Sequence, residues 1–254
     1  KLKELKLSPR IITGTNVFAH LEDVNGSLEV VKKILLPNGV FIIEVPYLFN
    51  LLKGLEYDTI YHEHLTYLSI TPLNELFLKH GLEIFDLEFK DIHGGSVRVF
   101  IKHIEFDIEK SPRIKTIINN EKNEKIHELD ILKKFASSVQ EHKKQLLLLL
   151  KQLKKDRKRI AAVGAPAKGM TLLNYCEIDD DLLEFVTEVS ELKKGRFCPG
   201  TNLKICSDSE LLLQKIDYAL ILPWNFKKEI MMNLKDFKFG GGKFIIPLPK
   251  IEIL

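Results

Sequence analysis

Val40-Phe41-Ile42-Ile43-Glu44-Val45-Pro46 is a nearly unbroken apolar, β-branched run without the polar alternation of a half-solvated strand. Such a run suits a strand covered on both faces in a parallel sheet, and Pro46 closes it. Just upstream, Pro37-Asn38-Gly39 ends an amphipathic segment that runs from Ser27 to Leu36, and Arg10 to Thr15 reads as an earlier strand. Strand, helix and strand in this order predict a doubly wound α/β unit. Downstream, an irregular stretch carries Tyr61-His62-Glu63-His64. Thr71 and Pro72 then open a helix to about His80, capped by Gly81. Leu82 to Phe89 and Ser96 to His103 follow as an antiparallel pair.

From Ser111 to Arg159 the chain is rich in Lys, Glu, Leu and Ile and has neither Gly nor Pro after Pro112, which predicts one or two long helices acting as a connector. Arg159 to Val163 then reads as a short strand leading into Gly164-Ala165-Pro166-Ala167-Lys168-Gly169 and a helix. Strand-like segments recur near Phe185, at Tyr218 to Leu222 and at Lys243 to Pro247, so a second α/β domain is expected. The boundaries expected from sequence are 1–108 for the first domain, 109–158 for the connector and 159–254 for the last domain.

The 254 residues carry 38 basic and 35 acidic side chains, a near balance that argues against a nucleic-acid partner while leaving room for a small anionic ligand. Cys176, Cys198 and Cys206 form no C-x-x-C pair, which argues against a disulfide framework or a structural zinc site. The longest apolar run, Leu146 to Leu150, is far too short to span a bilayer, and Lys1 to Arg10 has no signal-peptide core. These features lead to the expectation of a soluble, cytoplasmic protein with no membrane partner. They set no oligomeric state.

Four ordered blocks carry a family likeness: Asn16-Val17-Phe18-Ala19-His20, Glu44-Val45-Pro46-Tyr47, Asp58-Thr59-Ile60-Tyr61-His62-Glu63-His64-Leu65 and His93-Gly94-Gly95-Ser96-Val97-Arg98. They resemble sugar C-methyltransferases that make branched-chain sugars. Gly164 to Gly169 with Leu172-Leu173-Asn174-Tyr175, Lys194-Gly195-Arg196 with Pro199-Gly200-Thr201, and Pro223-Trp224-Asn225-Phe226 look like the C-terminal domain of the same family. The resemblance implies the second half of a class I methyltransferase domain, Rossmann-like, followed by a C-terminal Rossmann-like α/β domain. It implies S-adenosylmethionine as methyl donor and a nucleotide-linked keto-deoxysugar as acceptor, methylated at C3. Zinc is implied only for an amino-terminal part that these residues do not include, as is the first half of the cofactor-binding sheet.

C-methylation needs a carbanion equivalent, which a carbon beside a ketone supplies once a base removes its proton. A histidine near neutrality suits that step. His62 and His64 at i and i+2 share a face only in an extended segment, and neither has the i, i+4 spacing of a helical metal pair. His64 is the leading base and His62 a structural residue. Tyr61 is an alternative base or a hydroxyl donor to the developing oxyanion, and Glu63 orients an imidazole or binds a substrate hydroxyl. His20, just past the first strand, resembles a catalytic position, with a capping role as the plainer alternative. Asn16 and Val17 at the same strand end are cofactor-binding candidates by fold analogy. No metal is expected at the reacting centre.

Gly94-Gly95 is first of all a hairpin signal. The resemblance adds that His93, Gly94, Gly95 and Ser96 border the sugar-nucleotide pocket; Arg98 is a candidate phosphate partner, with a solvated strand charge as the plainer alternative. Gly164 to Gly169, between strand and helix, is placed to favour an anion but lacks both the P-loop and the full G-x-G-x-x-G pattern. A plain strand–helix turn is the simpler reading; the resemblance implies a loop facing the active-site cleft, with Lys168 and Gly169 as diphosphate candidates and Asn174 and Asn225 as polar support. Two rival readings are a nucleotide-sugar oxidoreductase, which would need a complete dinucleotide fingerprint, and a non-catalytic remnant that binds a sugar nucleotide.

Overall fold

A computed structural model of the chain describes residues 8–91 and 94–254. They form an α/β protein with parallel strands, divided into two compact units. The first comprises residues up to Lys53 together with His62–Lys133; the second comprises Gly54–Tyr61 and Lys134–Leu254.

In the first unit, β1 (Ile11–Thr15), β2 (Val40–Pro46), β3 (Leu82–Lys90) and β4 (Ser96–His103) form one sheet in the order β1-β2-β4-β3. β1 and β2 are parallel, with Ile11 opposite Val40 and Thr15 opposite Glu44, and α1 (Val24–Ile34) makes the crossover between them. The parallel start expected from Val40 to Val45 is present, and Phe41, Ile43 and Val45 are buried in it. α1 begins three residues before Ser27 because the Asp23 side chain accepts from Gly26 N at 2.8 Å and starts the helix there. The remaining pairs, β2 with β4 and β4 with β3, are antiparallel.

After β2 come α2 (Leu48–Lys53) and α3 (Ile70–Lys79). Ser69 at the head of α3 makes no side-chain cap. Its place is taken by Glu121 on α4 (Arg113–Asn123), whose carboxyl oxygens accept from Ile70 N at 2.7 Å, Thr71 N at 2.8 Å and Thr71 Oγ1 at 2.5 Å. The Tyr47 hydroxyl donates to the same carboxyl at 2.8 Å. A buried acid thus does the work of a local cap. α5 (Leu129–Lys155) carries the chain out of this unit, so the long polar stretch after Ser111 folds as two helices.

The second unit has a sheet in the order β10-β9-β8-β5-β6-β7. Its strands are β5 (Ile160–Val163), β6 (Val186–Thr187), β7 (Ile205–Cys206), β8 (Tyr218–Ile221), β9 (Lys243–Ile246) and β10 (Glu252–Ile253). All neighbours are parallel except β9 with β10. The chain adds β6 and β7 on one side of β5 and then β8 and β9 on the other, so the order reverses at β5. In open α/β sheets the crevice beyond the carboxyl ends of strands at such a reversal is where ligands bind. β7 and β10, two residues each, were not expected from the sequence. Among the described residues no helix is long and apolar enough to cross a membrane.

Candidate functional site

The carboxyl end of the parallel pair in the first unit holds the first group of candidate residues. Asn16 turns out of β1 at φ 54°, its N–H donating to Glu44 O at 2.9 Å, and Val17 beyond it is half exposed. Phe18–His20 form a single 3₁₀ turn with Phe18 and Ala19 buried, which leaves His20 at the rim. The segment after the histidine cluster docks on this turn: Leu65 N and Thr66 N both donate to Ala19 O, at 3.0 and 3.3 Å. That docking sets the His64 ring edge-on to His20, centroids 5.1 Å apart, with Tyr67 edge-on to His64 at 6.3 Å. Two candidates far apart in sequence therefore meet. His62 and Glu63 sit in a turn and are exposed. Tyr61 belongs to the second unit and His62 to the first, so the unit boundary passes through the cluster.

Gly94 and Gly95 adopt φ 87° and 122° between β3 and β4, whereas His93 lies outside the described residues. A Cβ on Gly95 would collide with Asn50 Nδ2, so the close neighbour that demands glycine here is Asn50. Ser96 is buried. Arg98 faces Glu44 across the β2–β4 register and donates to its carboxyl through Nε at 2.9 Å and Nη2 at 2.7 Å. The charge expected for a phosphate is thus paired with a buried acid.

The second group lies at the order reversal of the other sheet. The loop after β5 begins at Gly164, φ 82°, where a Cβ would meet the Pro223 ring at 2.6 Å, and α6 (Ala167–Cys176) follows. Gly169 packs so closely on β8's continuation that its Cβ would lie 2.8 Å from Leu222 Cβ, the helix–strand contact for which such loops use glycine. The Ala165 N–H donates to Glu188 Oε2 at 3.1 Å, and Lys193 donates to the same oxygen at 3.2 Å. Burial pushes the Glu188 pKa up, but the N–H groups of Ser190 and Ala165 and the Lys193 charge outweigh it and leave it lowered. Beside this loop is a cavity of about 220 Å³, walled by Gly164, Pro166, Val189, Pro223 and Leu234, with Glu188, Lys193 and Asp208 at its polar side. Asn174 is used structurally, its Nδ2 donating to Met170 O at 2.8 Å and Pro199 O at 3.0 Å.

Lys168 opens α6. Its amine donates to Asn225 Oδ1 and lies 4.5 Å from the centre of the Trp224 ring. The indole Nε1–H donates to Asp58 Oδ2 at 2.7 Å. Asp58 and Glu56, both buried, come from Gly54–Tyr61, the short piece of the first half of the chain that folds into the second unit. Burial pushes the Glu56 carboxyl up to about 7, helped by the Asp58 charge and opposed by Lys168. Burial likewise raises Asp58 to about 6, against Lys168 and the Trp224 N–H, and desolvation lowers the Lys168 amine against the pull of both acids. Sequence reasoning assigned no role to Glu56 or Asp58. An available signal was the Glu56-Tyr57-Asp58 triplet, two acids around an aromatic residue, after the apolar Leu55.

Tyr57 anchors that piece. The His142 Nε2–H donates to Pro247 O at 2.7 Å, which leaves Nδ1 as an acceptor for the Tyr57 hydroxyl at 3.0 Å in a ring whose pKa burial lowers. With its proton so directed, Tyr57 Oη accepts from Cys176 Sγ at 3.3 Å. Among the described residues no group of acids, histidines or cysteines has a metal-holding arrangement.

Residues 91–249 match the family described as C-methyltransferase C-terminal domain. The chain is also 36% identical over 245 residues to C-methyltransferase NovU of Streptomyces niveus, an alignment that covers 96% of this chain and 58% of that relative.

Proposed function

From the premise that the chain belongs to the C-methyltransferase C-terminal domain family, we propose that it is part of an S-adenosylmethionine-dependent enzyme that methylates carbon, most simply C3, of a nucleotide-linked keto-deoxysugar. The chain spans 58% of the length of its curated C-methyltransferase relative, so the activity belongs to a protein that has the whole apparatus. The observation that carries the reading is the meeting of His20 and His64, centroids 5.1 Å apart, at the carboxyl end of a parallel strand pair. α/β enzymes build their sites at that edge.

The residues present suit one side of the methyl donor. Val17 offers a half-exposed apolar side chain beside Asn16, where the backbone turns away from the strand. Asn16 and Val17 would flank the donor, and the donor, when bound, supplies an electrophilic methyl group on sulfonium. In this reading His64 takes the proton from the acceptor carbon, His20 steadies the charge that develops on the imidazole or relays the proton, and Tyr61 donates to the enolate oxygen. Glu63, exposed in the turn, is available to a substrate hydroxyl. The carboxyl edge of the second sheet, taken by itself, suits an anion: Lys168, Gly169 and Asn225 lie at the head of α6, where a diphosphate would be held, and the cavity beside Gly164 would take an apolar or planar moiety. An oxidoreductase reading is disfavoured because Glu188 already takes the Ala165 N–H and no full dinucleotide fingerprint is present.

Proton abstraction tests the reading apart from methyl transfer. Incubated with keto-sugar nucleotide in heavy water, without a competent donor, the complete enzyme should exchange the acceptor-carbon proton, and His64→Asn should lower that rate about 100- to 10,000-fold. Normal exchange in the His64 variant with loss in Tyr61→Phe would make Tyr61 the base.

A further inference from the structure

Asp58 has properties that do not sit together in a purely structural side chain. It is fully buried, its Oδ1 finds no hydrogen-bond partner among the described residues, and its other oxygen has Trp224 Nε1 as its side-chain donor. Among the described residues the N–H groups of its own turn, at Asp58 and Thr59, add to that support. A hydrogen bond to an indole needs no more than a neutral acceptor such as an amide. A buried carboxyl with one oxygen unserved carries a desolvation cost that an uncharged residue would avoid.

The surroundings show what the charge faces. Asp58 is in the 3₁₀ turn Tyr57–Thr59, which Tyr57 pins through His142 and Cys176, so its position is set independently of Trp224. The indole edge binds Asp58 and the indole face carries the Lys168 amine, which Asn225 holds from the other side. Glu56 is the second acid acting on that amine, and the segment after β8 supplies the neutral Asn225 and Trp224 that contact it. The cluster is thus two acids, one amine and an aromatic ring shared between them.

We infer that Asp58 is a positioning residue for substrate binding: through the Trp224 indole it seats the Lys168 amine at the head of α6, and through its charge it keeps that amine cationic for a diphosphate. This rests on Lys168 being a diphosphate ligand, as proposed above. The amine is desolvated, which favours its neutral form, and Asp58 and Glu56 oppose that. Removing the charge of Asp58 while retaining an acceptor for the indole therefore lowers the pH at which Lys168 gives up its proton. The ammonium form exists below that pH, so diphosphate affinity should fall at a lower pH than in the wild type.

The test is calorimetric titration of the complete protein with uridine diphosphate and with thymidine diphosphate between pH 6 and pH 10. In wild type and Asp58→Asn the alkaline loss of affinity should be displaced downward by about one pH unit in the variant, while the Trp224 indole N–H resonance stays in its hydrogen-bonded position. Lys168→Ala should lose affinity about tenfold or more at neutral pH and lose the alkaline limb. An unmoved limb in a folded Asp58→Asn protein overturns the inference. Unchanged binding in Lys168→Ala overturns the underlying reading of the lysine instead. Should Asp58→Asn not fold, Glu56→Gln decides: the inference requires a smaller downward displacement there, and an unmoved limb refutes it.

Discussion

Glu56→Gln should make the second unit more stable at pH 8 and change it much less at pH 5. Glu56 titrates at about 7 in the fold, raised from 4.5 by burial first and by the Asp58 charge second. A carboxyl with a raised pKa contributes most while it is protonated, and that contribution is lost as pH climbs through the folded value. At about 1.4 kcal/mol per pH unit, a rise from 4.5 to about 7 corresponds to roughly 3 kcal/mol once the group is fully ionised. Water reaching the rim of the site and the shared electrostatics with Asp58 and Lys168 reduce the expected gain for Gln to roughly 1 to 2.5 kcal/mol. Trp224, the chain's one tryptophan, reports on this cluster, so urea unfolding followed by its emission at both pH values is a direct assay. Parallel loss of stability in wild type and variant between pH 5 and pH 8, or a Gln variant that is the less stable at pH 8, would refute the assignment of a costly charge to Glu56.

Other perturbations separate structural from chemical roles. Gly95→Ala should destabilise the first unit by about 2 to 4 kcal/mol, since its Cβ would collide with Asn50 and φ is 122°; Asn50→Gly combined with it should recover part of the loss in thermal unfolding. Glu121→Ala strips acceptors from Tyr47 Oη, Ile70 N and Thr71, and should cost about 3 to 5 kcal/mol by chemical denaturation. Arg98→Met should harm stability through the orphaned, buried Glu44 more than it harms diphosphate affinity, which calorimetry of the complete protein can compare.

Much of the fold was legible because it rests on local signals. The run from Val40 to Val45 announces a buried parallel strand, and β2 is parallel to β1. Gly94-Gly95 announces a turn between antiparallel strands, and both glycines have positive φ. The glycine-rich stretch after β5 announces a strand–helix junction, and Gly164 and Gly169 make close approaches there that side chains would block. β7 was missed for a physical reason. Ile205–Cys206 is two residues long and is held by pairing with β6, so no run of its own could advertise it.

The site was legible by type more than by arrangement. His20 and His64 could be named as candidates, but their meeting depends on two N–H groups of residues 65 and 66 converging on Ala19 O, which no spacing rule encodes. The same holds for the polar groups that matter most in the interior. Helix α3 begins at Ile70 without a local cap, and the missing acceptor would ordinarily be sought within a few residues. It stands 51 positions away, at Glu121. Trp224 Nε1 likewise finds its acceptor 166 positions upstream, at Asp58. Buried donors must be satisfied somewhere, because leaving one unpaired costs about 1 to 3 kcal/mol. A helix start without a cap, or a buried tryptophan without a near acceptor, is therefore itself a sequence signal: it says that an acid elsewhere in the chain is committed to the interior. In this chain Trp224 leads in that way to Asp58, beside Lys168 in the candidate site, although no flanking pattern marks such acids: Glu121, which serves α3, lies between Asn120 and Lys122.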